Sequence, residues 1–251
     1  MSRISVLSLA RAAVQSSLAF AGVRLQRIPE CVEPILPFDV LRLAIIAELQ
    51  RAGVENFYFV QVGANDGVLY DNLNPLIREF DLRGCLVEPL PDVFARLQSN
   101  YHDQPQLTFR NCMIADPASD GLIHRFRPDA PVPQDFFHGL ARQDQDYIRR
   151  RAKDVGLSAH VEAVRCEVQD FSDLLKSLDR TSISLLYVDT EGADDKIVGE
   201  ALRSGLRPPL IQYEWSEMPL TRRCELKLLL SSHGYRFMDV GADTVCLRGH
   251  E

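Results

Sequence analysis

The apolar positions of this chain fall into short runs that alternate with amphipathic stripes. Residues 57–62 (Phe-Tyr-Phe-Val-Gln-Val) are almost all apolar and β-prone, and such continuous runs suit strands covered on both faces of a parallel sheet. Shorter runs of the same kind are read at 85–88, 107–114, 184–189 and 209–214. Between them lie helical patterns at 39–52, 74–80, 92–101, 194–203 and 221–232. Asp39 is placed to cap the first helix and Gly53 to end it, while Val93, Leu97 and Tyr101 mark one stripe of the third. Two final runs, 235–240 and 244–248, are joined by Gly-Ala-Asp and predict a closing antiparallel hairpin. The alternation predicts an α/β domain with a mostly parallel sheet and right-handed crossovers.

Two segments break the rhythm. Residues 117–160 hold Pro117, Pro128, Pro131 and Pro133 and are read as an irregular insert with a polar helix near 140–153. Residues 1–36 precede the pattern and are read as an N-terminal extension to a domain spanning 37–251. Residues 1–29 have no acidic residue and carry Arg3, Arg11, Arg24 and Arg27, which suits a targeting peptide or a helix lying on a membrane surface. Arg11 and Gln15 interrupt the apolar stretch, so a loosely held extension is favoured over membrane contact.

Composition narrows the class further. A formal net charge of −7 argues against a nucleic-acid partner, and the basic run Arg149–Arg151 is read as a solvated helix face. The six cysteines are too scattered for a CxxC motif, which points to a reduced, cytoplasmic protein. Neither a Ser-hydrolase elbow nor a Walker lysine loop is present.

In an open parallel sheet, ligands bind beyond the carboxyl ends of the strands, and the unusual polar residues lie there. The first strand runs into Gly63-Ala-Asn-Asp-Gly67, where glycine lets the backbone turn and approach a ligand. The second ends in Glu88, at the distance from the glycine loop where an acid grips a ribose diol. A dinucleotide would ask for GxGxxG, whereas the spacing here is Gly-x-x-x-Gly, and Asp66 within the loop would repel a diphosphate. S-adenosylmethionine has no phosphate and carries two cationic centres, so it tolerates an acidic mouth. The later strands bring Asp189 and Glu191, two apart on one extended face, and Glu214. These three carboxylates are candidates for orienting the donor, acting as base, or holding Mg²⁺ through oxygen. His138 and His160, in or beside the insert, are further candidates for the base.

These motifs, in order, resemble the FkbM family of methyltransferases. Phe59-Val-Gln-Val-Gly-Ala-Asn-Asp-Gly67, Leu86-Val-Glu-Pro-Leu-Pro91 with Phe94 and Leu97, Val188-Asp-Thr-Glu-Gly192, Tyr213-Glu214, and Cys224 to Gly234-Tyr235 carry the likeness from about residue 55 to 248. The resemblance implies a Rossmann-like class I methyltransferase fold with a C-terminal antiparallel hairpin, using S-adenosylmethionine to O-methylate a hydroxyl of a sugar, glycan or natural product. It implies that Gly63, Asn65 and Gly67, with Asp66, line the methionine part of the donor and that Glu88 holds its ribose. Asp189 would lie beside the methyl group, and Met113 beside the adenine. Class I enzymes commonly have Asp or Glu at the position of Gln61, where it influences the donor's amino group; Gln can still accept a hydrogen bond there, but without charge. The rival readings are a nucleotide-sugar or NAD-dependent enzyme, and a non-catalytic scaffold attached through residues 1–29.

Overall fold

The computed structural model describes residues 39–249 apart from 134, 135 and 217. The N-terminal extension, with the membrane or targeting reading of residues 1–29, lies outside the described residues.

Helix α1 (Val40–Ala52) starts where the Asp39 carboxylate accepts the Arg42 N–H at 2.8 Å and stops at Gly53, whose φ of 83° suits glycine. Strand β1 (Tyr58–Val62) is buried at all five positions, as a strand covered on both faces must be. Helix α2 (Asn74–Phe80), strand β2 (Arg83–Val87), helix α3 (Pro91–Asn100) and strand β3 (Leu107–Arg110) follow. The second half supplies helix α5 (Phe171–Ser177), β9 (Leu185–Val188), α6 (Asp194–Arg203), β10 (Leu210–Glu214), α7 (Leu220–Ser232), β11 (Tyr235–Val240) and β12 (Asp243–Arg248).

Seven strands form one sheet in the order β11-β12-β10-β9-β1-β2-β3. The five from β10 to β3 are parallel, and β12 runs antiparallel between β10 and β11. The closing hairpin thus inserts its second strand into the sheet and leaves its first at the edge. One face packs Phe59, Leu86, Leu185 and Leu210 against Leu41 and Ile45 of α1, Ile77 of α2 and Leu97 of α3. The other packs Val60, Val62, Leu186 and Ile211 against Leu174 of α5, Val198 of α6 and Leu230 of α7. The chain winds outward from β1 through β2 to β3, then returns to β9 on the other side of β1. That reversal opens a crevice beyond the carboxyl ends of β1 and β9.

The run expected as one strand at 107–114 is two. After β3, Asn111 turns the chain, its amide donating to the Glu88 and Pro89 carbonyls at 2.8 and 3.1 Å. Met113–Ile114 (β4) then pairs with Val168–Gln169 (β8) in a separate parallel ladder. β4 is buried at both positions and β3 only at Leu107, but the apolar residues run on through both pieces, and that continuity conceals the break.

Between β4 and β8 the chain builds an excursion more regular than expected. Leu122–Phe126 (β5) pairs antiparallel with Ala141–Arg142 (β6) and Val161–Arg165 (β7). The polar helix begins at residue 145, as α4 (Gln145–Asp154), because Asp144 caps it through the Tyr147 N–H at 3.0 Å. Its Ile148 and Ala152 join Phe126 and Leu140 in a small core, leaving Arg149 and Arg150 exposed.

Candidate active site

Backbone hydrogen bonds align the strand ends. Gly63 and Ala64 both donate to the Val87 carbonyl at 3.0 Å, and Asp189 donates to the Val62 carbonyl at 2.9 Å. This sets Gly63, Glu88 and Asp189 at one level around a cleft of about 570 Å³, a volume typical of small-molecule sites. A Cβ at Gly63, where φ is 84°, would fall 1.8 Å from the Asp189 carbonyl oxygen, so the first and fourth parallel strands can meet only through glycine.

Glu88 is buried and accepts the Asn65 N–H at 3.0 Å through one oxygen and the Leu90 N–H at 2.9 Å through the other. Burial pushes its carboxyl up to about 7, against the opposing pull of those two donors. Each oxygen keeps acceptor capacity toward the cleft, the arrangement a vicinal diol requires. Beside it, Leu90, Val93, Met113, Ile114 and Ile123 make an apolar wall. Gln61, 2% exposed, lines the cleft floor with its Oε1 lacking a hydrogen-bond partner.

On the other side, one carboxylate oxygen each from Asp189, Glu191 and Glu214 lie within 4.8 Å of one another. Asp189 has its proton affinity raised well above the ordinary carboxylate range, first by burial and then by the charges of Asp194, Glu214, Glu191 and Asp243. Asp243 also lines the cleft and is itself pushed up to about 6, mainly by burial. The group suits an oxygen-ligated divalent cation by geometry, yet nothing beside it among the described residues points to an ion. Protonation of Asp189 relieves the same repulsion.

The organiser of this side is Asp194, which the sequence reading did not single out. It is 1% exposed and accepts the Thr190 hydroxyl at 2.9 Å, the Gly192 N–H at 3.3 Å and the Glu214 N–H at 3.2 Å. One buried carboxylate thereby holds the loops after β9 and β10 together.

Three of the expected residues are not among those that line the cleft. Asp66 does not line the cleft: its carboxylate accepts the Val68 and Leu69 N–H groups at 3.0 and 2.8 Å and shapes the loop from within. Gly67 lies against Tyr101 and Leu97, where a Cβ would come within 2.3 and 2.7 Å. His160 ends a turn at Ser158–His160, with Nδ1 3.2 Å from the Arg127 guanidinium, and it too is absent from the cleft wall. Gly139, in the turn Phe136–Gly139, lines the cleft, but the side chain of His138 lies outside the described residues. Gln61, Gly63, Asn65, Glu88, Met113, Asp189, Glu191 and Glu214 all line it.

A parallel sheet with an inserted antiparallel strand, and a glycine loop facing acidic strand ends, define a class I methyltransferase fold. Residues 61–237 match the Methyltransferase FkbM domain, and the chain belongs to that family. It is a methyltransferase by that membership. A comparison with curated proteins finds no significant sequence match. Solved structures similar to it include the N-terminal domain of human METTL16 in complex with SAH, at 12% identity and TM-score 0.43 over 99% of this chain and 85% of that one. Another is a ribosomal protein L11 methylase from Lactobacillus delbrueckii subsp. bulgaricus, at 11% identity and TM-score 0.40 over 88% and 91% of the two chains. A third is a human methyltransferase 10 domain containing protein, at 11% identity and TM-score 0.39 over 97% of each. These are likenesses of outline.

Proposed function

We propose that the protein methylates a hydroxyl oxygen of a small molecule or saccharide, with S-adenosylmethionine as donor. The observation that carries this reading is the juxtaposition across Gly63 of two unlike carboxylates. Glu88 is held by two N–H groups and faces an apolar wall, whereas Asp189 accepts no hydrogen bond among the described residues and sits amid like charges.

The cleft fits the donor. Glu88 suits the ribose hydroxyls, the wall of Leu90, Met113 and Ile123 suits the adenine, and the unpartnered Gln61 oxygen asks for a donor group from a ligand. When bound, S-adenosylmethionine supplies an electrophilic methyl group on a sulfonium. The chain's part is then to orient and to move one proton. Asp189, once ionised, takes the proton of the acceptor hydroxyl at its carboxylate oxygen, and Glu191, Glu214 and Asp243 raise its basicity for that step. Holding acceptor and donor in line reduces the entropic cost of meeting. Residues 141–144 of the excursion, from β6 to the cap of α4, border the cleft and bound the space for the acceptor.

Calorimetry with S-adenosylhomocysteine tests the reading. Binding that Glu88→Ala weakens by about 1–3 kcal/mol is expected, as for removal of a buried hydrogen-bonded acceptor. Absence of binding by the folded wild type would sink it. Turnover of radiolabelled donor across a panel of saccharides then identifies the acceptor, and repeating it after EDTA treatment, with and without Mg²⁺, separates proton-holding from cation-holding carboxylates.

A further inference from the structure

A second cavity has no part in the chemistry above. It lies beside the starts of β1 and β2, against the edge strand β3 and the C-terminal end of α5. Its volume of about 440 Å³ is within the range of small-molecule sites. None of its lining residues is shared with the cleft that holds Glu88 and Asp189.

The charged residues that line it are all arginines: Arg83, Arg110 and Arg180. They surround Tyr58. Arg83 is the register partner of Tyr58 on β2, and the Arg180 guanidinium lies 4.2 Å from the centre of its ring. Burial raises the proton affinity of the Tyr58 hydroxyl, and the charges of Arg180 and Arg110 both work against that rise. Tyr58 is itself fixed, its hydroxyl 3.2 Å from that of Thr108, which donates to the Gly84 carbonyl at 3.1 Å. Arg110 is held too, donating to the Phe109 carbonyl at 3.0 Å and to the Ser177 carbonyl, at the end of α5, at 3.3 Å. Arg83 and Arg180 make no hydrogen bond among the described residues, so their N–H groups remain for a ligand.

Three guanidinium groups around one cavity repel one another unless something negative sits among them. Elsewhere in this chain a carboxylate does so: Arg42, Arg78, Arg125, Arg222 and Arg223 each meet one. Acids are in surplus, the net charge being −7, yet no carboxylate lines this cavity. Nor does any of the three arginines form an ion pair among the described residues. A cation would be repelled here, a neutral molecule would leave the charges uncompensated, and a lone carboxylate would offset one of three. A phosphate ester or diphosphate brings more negative charge, on acceptor oxygens that match the forked guanidinium donors. The acidic chain as a whole disfavours a nucleic-acid strand. We propose that Arg83, Arg110 and Arg180 form a second, non-catalytic site for a soluble phosphorylated small molecule.

Calorimetry of the full chain with inorganic pyrophosphate tests this. Binding is expected, and saturating S-adenosylhomocysteine should leave it unchanged, because the cleft lies elsewhere. Arg83→Gln and Arg180→Gln should each weaken it about 10-fold or more, as for loss of a hydrogen bond to a charged group. Arg83→Gln breaks no contact of the fold and should keep the thermal transition of wild type. The double variant Arg149→Gln/Arg150→Gln removes two exposed charges from α4 and should bind as wild type does. Equal weakening by the two sets of variants would reveal a general charge effect and overturn the site. No binding by wild type, or displacement by S-adenosylhomocysteine, would overturn it as well. Flotation with phosphatidylcholine vesicles, with and without phosphatidic acid, examines a lipid source of the same phosphate. Attachment to the acidic vesicles that needs Arg83, without binding of pyrophosphate, would assign the arginines to a headgroup and overturn the soluble ligand.

Discussion

The two sides of the cleft both carry carboxylates, and they employ them differently. On the β1–β2 side, Asp66, Asp71 and Glu88 each accept two backbone N–H groups. On the β9–β10 side only the buried Asp194 does so, and Asp189 and Asp243 accept no side-chain hydrogen bond among the described residues. The first side is a receptacle whose acids are each held in place by N–H donors. The second is a reservoir of proton affinity, in which charges are crowded rather than compensated. Binding calls for acceptors already in position, whereas base catalysis calls for a carboxylate that wants a proton, and in the proposed reading carboxylates on the two sides of one cleft divide these requirements.

The contrast depends first on the contact between the two sides. Gly63→Ala puts a Cβ against the Asp189 carbonyl at a positive φ, where both partners are backbone and neither can yield. It should cost more than about 4 kcal/mol, enough to leave many domains unfolded, and urea denaturation reads the loss. Near-wild-type stability would mean that the sides are not locked together as described.

Asp189→Asn sharpens the contrast at the reacting centre. Turnover should fall by about 10²–10⁴, while affinity for S-adenosylhomocysteine and the unfolding transition stay close to wild type, because no hydrogen bond of the fold is lost. Parallel losses in binding and turnover would place Asp189 in the receptacle instead.

The smallest effect expected is a shift in pH. Catalysis needs Asp189 ionised, so turnover falls as pH drops through its apparent pKa. Glu214 raises that value by repulsion, and Glu214→Gln removes the repulsion. The acid limb of the kcat profile should therefore move down by about one pH unit. A limb that stays in place or moves up would contradict the crowding of charge on this side.

The central sheet was legible because its strands are apolar on both faces, so residues 57–62 and 184–189 announce buried parallel strands without help from the rest of the chain. Glu88 and Asp189 were legible for a related reason, each being a polar residue at the end of an apolar run. The excursion was not. Its strand β5 carries His124 and Arg125, which are buried, and Arg125 is there only because Asp92 and Glu162 pair with it at 2.8 Å from distant parts of the chain. A charge compensated across 30 or more residues looks like a loop in sequence. The same limit explains Asp66 and Asp71. Both are acids in one short polar loop, and which of them lines the cleft depends on side-chain hydrogen bonds that no spacing reveals.

The clasp of β4 and β8 has a consequence for engineering. The excursion leaves the domain at Ile114 and returns at Val168, through two short strands that lie side by side. Its entry and exit are therefore neighbours, and segments anchored in this way can be replaced with little disturbance to their host. Because Gly139 and residues 141–144 of the excursion border the cleft, grafting a different cassette between the two clasp strands is a way to change the acceptor side while Glu88 and Asp189 stay as they are, provided the cassette supplies an apolar side chain in place of Ile123.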